Sequence, residues 1–343
     1  SSGQAANLIA ILNIASAGDN FISLSEIYGG TINLFAVTLK RLGIEVRFAS
    51  PSMSDAEISA IINSKTRAVF GETIANPTLK VLDIERFAAI AHNAGIPLIV
   101  DNTFATPVLC RPFEFGADIV VHSTTKYLDG HAVAVGGAIV DSGRFDWAAS
   151  GKFPELTEPD ESYHGVVYTK DFGNAADITK ARVQLMRDLG STPSPMNAFL
   201  LNLGMETLAL RMERHSSNAL AVAKMLSSNP AVEWVSYPGL EGDAEHALAE
   251  KYLPDGTSGV VAFGVKGGRN AAMKFMDSLK LAGIVVHVAD VRTSILHPAS
   301  TTHRQLTDEQ LVAGGISPEM VRLSVGIEHI DDIIADLRQA LEA

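Results

Sequence analysis

Along the first two-thirds of the chain, short unbroken apolar runs alternate with longer stretches whose apolar residues recur every three or four positions. The runs predict strands at NFISLS (20–25), IEVRFAS (44–50), TRAVFGE (66–72), IPLIVD (96–101), ADIVVHS (117–123) and GGAIVDS (136–142). Between them lie predicted helices: TINLFAVTLKRLG closed by Gly43, one from about Ser54, and one from Asp83 to His92 ending at Gly95. Strands separated by helices imply right-handed crossovers and a mostly parallel sheet buried on both faces. The stretch that begins SPMNAFLLNLG reads as one long helical segment, straight or kinked, leading out of this unit. Beyond about residue 230 the texture changes: GVVAFGVKGG, IVVHVAD and MVRLSVGIE predict strands, with helices at about 269–282 and 331–342. The expected fold class is therefore α/β, with a large domain over 1–225 and a smaller C-terminal α+β domain over 226–343. The polar, proline-bearing stretch KFPELTEPDESYHGVVY predicts an excursion over the surface.

Composition narrows the possibilities. A net charge of −12 over 343 residues argues against a nucleic-acid partner, which needs basic stripes. No apolar run approaches the length of a membrane span. Cys110 is the only cysteine, so no internal disulfide can form; this fits a reducing, cytoplasmic setting, and Cys110 reads as a small apolar core residue. The sequence opens at Ser1 on a helical pattern, so an upstream segment is expected to be missing. His297 and His303 in HPASTTH lack acidic or cysteine companions and read as loop-packing residues; no metal site is expected. GVKGGR lacks the spacing of a phosphate loop and reads as a turn, and no Gly-x-Gly-x-x-Gly follows the first strand, which argues against a nicotinamide enzyme.

In an open α/β sheet, ligands bind outside the carboxyl ends of the strands. Tyr28 follows the first strand; Glu72 ends another, with Asn76 after it; Asp101 ends the next, followed by Thr103. The run Ile119–Val121 delivers Ser123, Thr125 and Lys126 into a glycine-rich turn. At the start of the chain, Ser2 and Gly3 open a helical pattern whose free N–H groups suit an anion, although Ser2 and Gly3 also suit an ordinary N-cap. Pyridoxal 5'-phosphate uses all these parts: an amine for its aldehyde, a carboxylate for its ring nitrogen and a cradle for its phosphate. Lys126 would form the Schiff base, Asp101 would keep the ring nitrogen protonated, Tyr28 would stack on the ring and Asn76 would bond its hydroxyl.

SGQAA, YGGT, ETIANPT, VDNTFATP, HSTTKYLDGH and RLSVGIE, in this order across the whole chain, resemble the Cys/Met-metabolism family of pyridoxal-phosphate enzymes, fold type I. The resemblance implies that 1–225 is the cofactor-binding catalytic domain, with its N-terminal arm missing. It implies Lys126, Tyr28 and Asp101 as catalytic residues, Gly3 and Gln4 as backbone phosphate donors, and Ser123 and Thr125 as side-chain donors. Arg322 is implied as the clamp on a substrate carboxylate, with Ser294 and Asn76 as further substrate contacts. Relatives carry an upstream Tyr-x-Arg motif that reaches a neighbouring subunit's cofactor phosphate, which would lie before Ser1. They also differ at VADVRTS, where Asp290 and Arg292 stand.

The long PDESYHGVVY excursion and HPASTTHRQL are similar to the branch that performs γ-replacement on activated homoserine esters. The implied reaction joins a small-molecule sulfur donor to O-acetyl-L-homoserine, giving L-homocysteine and acetate, in a homotetramer built as a dimer of dimers. The rival activities are methionine γ-lyase and cystathionine γ-synthase, and a rival of another class is a protein that binds the cofactor without turnover.

Overall fold

The computed structural model describes residues 1–301 and 316–343. Six strands, β1 (Asn20–Leu24), β2 (Glu45–Ala49), β3 (Thr66–Glu72), β4 (Leu98–Asp101), β5 (Ile119–Ser123) and β6 (Gly137–Asp141), form one sheet in the order β2-β1-β3-β4-β5-β6. The first five are parallel and β6 closes the edge antiparallel to β5. Every residue of β1, β3 and β4 is buried, as expected of parallel strands covered on both faces. Phe35 sits edge-on between Phe21 of β1 and Phe70 of β3, with ring centroids 4.8 and 5.0 Å away. Because chain order reverses between β1 and β3, the carboxyl ends there open into a crevice.

The covering helices start where the sequence supplies caps. Helix α1 (Gly3–Leu12) is capped by Ser2, whose hydroxyl accepts from Ala5 N at 3.0 Å, and packs on β5 and β6. Helix α2 (Gly29–Asn33) continues through Leu34–Leu39 with π-type bonding, and Gly43 turns the chain at φ +81°. Ser54 and Glu57 form a reciprocal capping box on α3 (Asp55–Ala60), and α4 (Ile84–Asn93) follows. The long helical stretch is kinked: Pro195–Glu206 and Leu208–Ser227 meet at Thr207.

The second sheet has the order β7-β8-β11-β10-β9, from β7 (Val232–Ser236), β8 (Val260–Val265), β9 (Gly283–Ile284), β10 (Ser294–Leu296) and β11 (Met320–Ser324). Helices Gly268–Asp277 and Ile330–Leu341 help close its own apolar cluster, which includes Val222, Phe263, Phe275, Leu323 and Leu337. The architecture is thus α/β: a large, mostly parallel unit and a smaller α+β unit.

Some expectations change. IVVHVAD is not a strand beyond Ile284; Val285 N still donates to Ile295 O of β10 at 3.2 Å, and the chain leaves the sheet at the exposed Val286. Val286 O instead accepts from Arg322 Nη2 at 3.0 Å. KFPELTEPDESYHGVVY is no mere surface excursion, since Phe153, Leu156 and Tyr168 are fully buried in the main core. The sequence reading named neither β7 nor β10 as a strand. GVKGGR is a turn, as expected, but it opens directly into helix Gly268–Asp277. Cys110 is buried, and burial pushes its thiol up to about 12. His297 packs as expected, its ring nitrogens 2.8 Å from Ser300 Oγ and 2.7 Å from Pro318 O, whereas His303 lies outside the described residues.

Candidate active site

The carboxyl ends of β1, β3, β4 and β5 converge on a cavity of about 410 Å³. Ser2, Gly3, Gln4, Tyr28, Glu72, Asn76, Asp101, Thr103, Ser123, Thr125, Lys126 and Arg322 all line it. Ser294 does not; it belongs to a neighbouring cavity, on β10 opposite Ser324, and its hydroxyl lies 3.4 Å from His287 O. The residues facing the main cavity in this region are Val286, His287 and Val288, in the loop that was expected to be a strand.

Lys126 follows β5 in a turn in which Lys126 N donates to Ser123 O at 3.2 Å and Gly130 N donates back to Lys126 O at 2.7 Å. Burial, aided by the positive charge of Arg322, brings the Lys126 ammonium down to about 8. A useful fraction of free amine is therefore present near neutral pH.

Asp101 is held by Thr103, whose N–H donates to Oδ1 at 3.0 Å and whose hydroxyl donates to the same oxygen at 2.5 Å. Thr103 Oγ1 in turn accepts from Ser123 N at 2.8 Å, tying the ends of β4 and β5 together. Thr103 thus orients the carboxylate as well as lining the cavity. Burial raises the Asp101 carboxyl, while bonds from Thr103 and Asn7 oppose the rise. Glu72 is raised well above the usual carboxylate range by burial and by the Asp101 charge. It accepts from Tyr28 N at 2.8 Å and Asn76 N at 3.2 Å, fixing the backbone on both sides of the crevice.

Arg322 reaches in from β11. Its Nη1 donates to Asn76 Oδ1 at 3.1 Å and its Nη2 to Val286 O, while the buried Nε has no partner among the described residues. Burial lowers its guanidinium to about 10. Asn76 therefore serves first as a prop for this arginine. The Thr125 hydroxyl is also engaged, donating to Gly136 O at 3.2 Å and accepting from Gly136 N at 3.1 Å.

The start of α1 lies against the end of β5. A Cβ at Gly3 would stand 2.5 Å from Ser123 Cβ, and one at Gly137 would stand 2.0 Å from Ser2 O. Only glycine allows these approaches, which bring free helix N–H groups and the Ser123 hydroxyl to one place. The site fits pyridoxal phosphate. It offers an anion cradle, a part-neutral amine, and a buried carboxylate with no cationic side chain paired to it among the described residues. A cationic ring nitrogen would return that carboxylate to its charged form.

Sequence reading missed Asn7, Thr31, Phe104 and the Val286–Val288 loop as lining residues. Asn7 had a faint signal, an amide on the apolar face of α1; the others look like ordinary packing residues.

The model of the Cys/Met metabolism PLP-dependent enzymes matches residues 1–342. Homocysteine synthase of Schizosaccharomyces pombe is 51% identical over 344 residues, covering 100% of this chain and 80% of that protein. O-acetyl-L-homoserine sulfhydrylase of Leptospira meyeri is 48% identical, covering 99% and 79%. A crystal structure of an O-acetylhomoserine (thiol)-lyase from Campylobacter jejuni, containing N'-pyridoxyl-lysine-5'-monophosphate, superposes with TM-score 0.95 at 40% identity. It covers 100% of this chain and 81% of that one. With this match along its length, and a cavity that gathers the amine, the carboxylate and the anion cradle, the chain belongs to the Cys/Met-metabolism family of PLP-dependent enzymes.

Proposed function

We propose that this enzyme converts O-acetyl-L-homoserine and a sulfur donor to L-homocysteine and acetate, a γ-replacement that serves methionine biosynthesis. One observation carries the reading: Lys126, Asp101 and Arg322 meet in one cavity of a chain similar over its whole length to homocysteine synthase and O-acetyl-L-homoserine sulfhydrylase.

When bound, pyridoxal phosphate supplies an electron sink that acidifies the substrate's α- and β-hydrogens. Gly3 and Gln4 would offer backbone N–H groups to its phosphate and Ser123 a hydroxyl, with Ser2 fixing the helix start and Thr125 the facing turn. Asp101, held in position by Thr103, would pair with the ring nitrogen and favour its protonated form. Tyr28, whose backbone N–H is fixed by Glu72, would cover the ring. Arg322 binds the substrate carboxylate through its fork, steadied by Asn76. Lys126 Nζ takes the α-proton and then serves the neighbouring β-carbon, because burial, aided by Arg322, makes its free amine more available than that of an ordinary lysine. Acetate departs from the γ-carbon with the bonding pair, and sulfur bonds there in its place.

The reading extends to the whole assembly. The catalytic domain ends near residue 225, where helix Leu208–Ser227 passes from the main core to the second one. Exposed Met196, Phe199, Leu203 and Leu210 offer an apolar surface to further copies in a homotetramer of two dimers, which sedimentation would test. No helix among the described residues is long and apolar enough to cross a membrane, and the lone buried cysteine suits the cytoplasm.

The decisive assay incubates cofactor-loaded protein with O-acetylhomoserine and sulfide. Equal yields of homocysteine and acetate support the proposal. Exclusive 2-oxobutyrate without thiol, or a strict requirement for cysteine as nucleophile, overturns it in favour of a lyase or a cystathionine synthase.

A further inference from the structure

His287 lines both the Lys126 cavity and a second cavity of about 470 Å³, and among the described residues it is the one that the two share. Its main chain is fixed from two sides. The preceding carbonyl, Val286 O, accepts from Arg322, and His287 O faces Ser294 Oγ at 3.4 Å. The imidazole Nε2 is shielded from water and has no hydrogen-bond partner among the described residues. Such an orphaned buried nitrogen calls for an explanation.

The other charged groups around it are committed. Arg292 Nη2 lies 2.6 Å from Asp290 Oδ2, and Glu328 accepts from Thr293 N at 2.7 Å and from Thr293 Oγ1 at 2.8 Å. The charges facing the ring are Lys126, Asp290, Arg292 and Arg322. Burial first, and then the Lys126 charge, lowers the imidazole below its usual value, so near neutral pH it is an uncharged proton acceptor. Leu281, Val285 and Ala132 give the second cavity apolar walls suited to a small uncharged thiol or hydrogen sulfide.

We propose that the second cavity admits the sulfur donor and that the His287 imidazole, turning its shielded Nε2 into the cavities it lines, removes the donor's S–H proton as it enters the Lys126 cavity. This rests on the γ-replacement reading above. The S–H bond breaks and an N–H bond forms; the freed sulfur pair makes the S–Cγ bond. The Cγ–O bond breaks with its pair leaving on acetate, and the imidazolium returns its proton to solvent. One proton and one acetate are released, with no oxidant or reductant required.

The test uses cofactor-loaded wild type and His287→Gln with thiols of graded acidity at pH 7. An alkyl thiol, un-ionised at that pH, is expected to react about 100-fold more slowly in the variant, within the usual range for a general base. A fluorinated thiol that is largely ionised already needs no base and is expected to slow by no more than about threefold. Exchange of the substrate's α-hydrogen in D2O without any thiol, followed by NMR, depends on Lys126 and stays within about twofold of wild type. Val285→Trp, which narrows the second cavity alone, raises KM for the thiol and leaves KM for the ester unchanged. Equal losses for all thiols, lost α-hydrogen exchange in His287→Gln, an indifferent variant, or an unchanged thiol KM in Val285→Trp overturns the inference. A wild type that exchanges the α-hydrogen but takes no thiol overturns the parent reading as well, so the two failures are distinct.

Discussion

Arg322 and Arg211 are both almost fully buried, yet they sit in opposite circumstances. Arg211, on helix Leu208–Ser227, spends its whole fork on fixed acceptors: Nη1 on Tyr127 O at 2.7 Å, Nη2 on Gly204 O at 2.6 Å and Leu128 O at 3.5 Å, and Nε on Thr207 Oγ1 at 3.1 Å. It braces the turn just after Lys126, and a Cβ at Gly130 would strike its guanidinium. Arg322 has one side-chain amide and one carbonyl, with Nε unpartnered among the described residues, and it faces a cavity. A saturated buried cation holds the fold, whereas the unpartnered Nε of Arg322 suits the anion-binding role proposed for it.

The largest perturbation removes the amine served by both regions. Lys126→Ala is expected to reduce homocysteine formation by about 10⁴-fold or more while leaving thermal stability intact, as activity and melting curves of one preparation will show. Next comes Arg322→Ala, which should lower kcat/KM for the ester by about 10³-fold with little change in melting temperature. If this variant instead unfolds while Arg211→Met stays active and stable, the contrast is reversed. Arg211→Met should reduce unfolding free energy by about 3 kcal/mol in denaturant titration, because several carbonyls lose a charged donor at once, while kcat changes only a few-fold.

The smallest effect concerns a third buried charge. Asp177 is raised to about 7 by burial and by Asp141, despite an Asn13 Nδ2 donor at 2.7 Å. A carboxyl raised in the folded state favours folding most below its unfolded value near 4, and that contribution is lost as pH rises through about 7. Asp177→Asn should therefore flatten the fall in stability over this interval and raise the melting temperature at pH 8 by about 2 °C.

Much of the cavity was legible because β3, β4 and β5 are unbroken apolar runs that end in chemistry: Glu72, Asp101, and Ser123 followed by Lys126. A parallel sheet must aim those ends at one edge, so placing the strands placed the residues. What failed depended on contacts invisible along the chain. Val285 and Val286 have strand-forming side chains, yet the pairing stops at Val285 N, and Val286 O accepts from Arg322 beside the cavity; hence Ser294 was expected where His287 stands. In the excursion, Phe153, Leu156 and Tyr168 are too sparse for any period, although they anchor it in the core. That Thr125 and Asn76 are already hydrogen-bonded elsewhere is a matter of distance alone.

Ser2–Gly3 and Ser123–Gly137 are sequence-distant, yet they interlock with no room for even a methyl group. The receptacle proposed for the cofactor phosphate is therefore a seam that exists only once the opening helix has docked onto a finished strand edge. Loading of the prosthetic group is thereby chained to completion of this half of the molecule, and in a refolding experiment the yellow colour should be among the last signals to return.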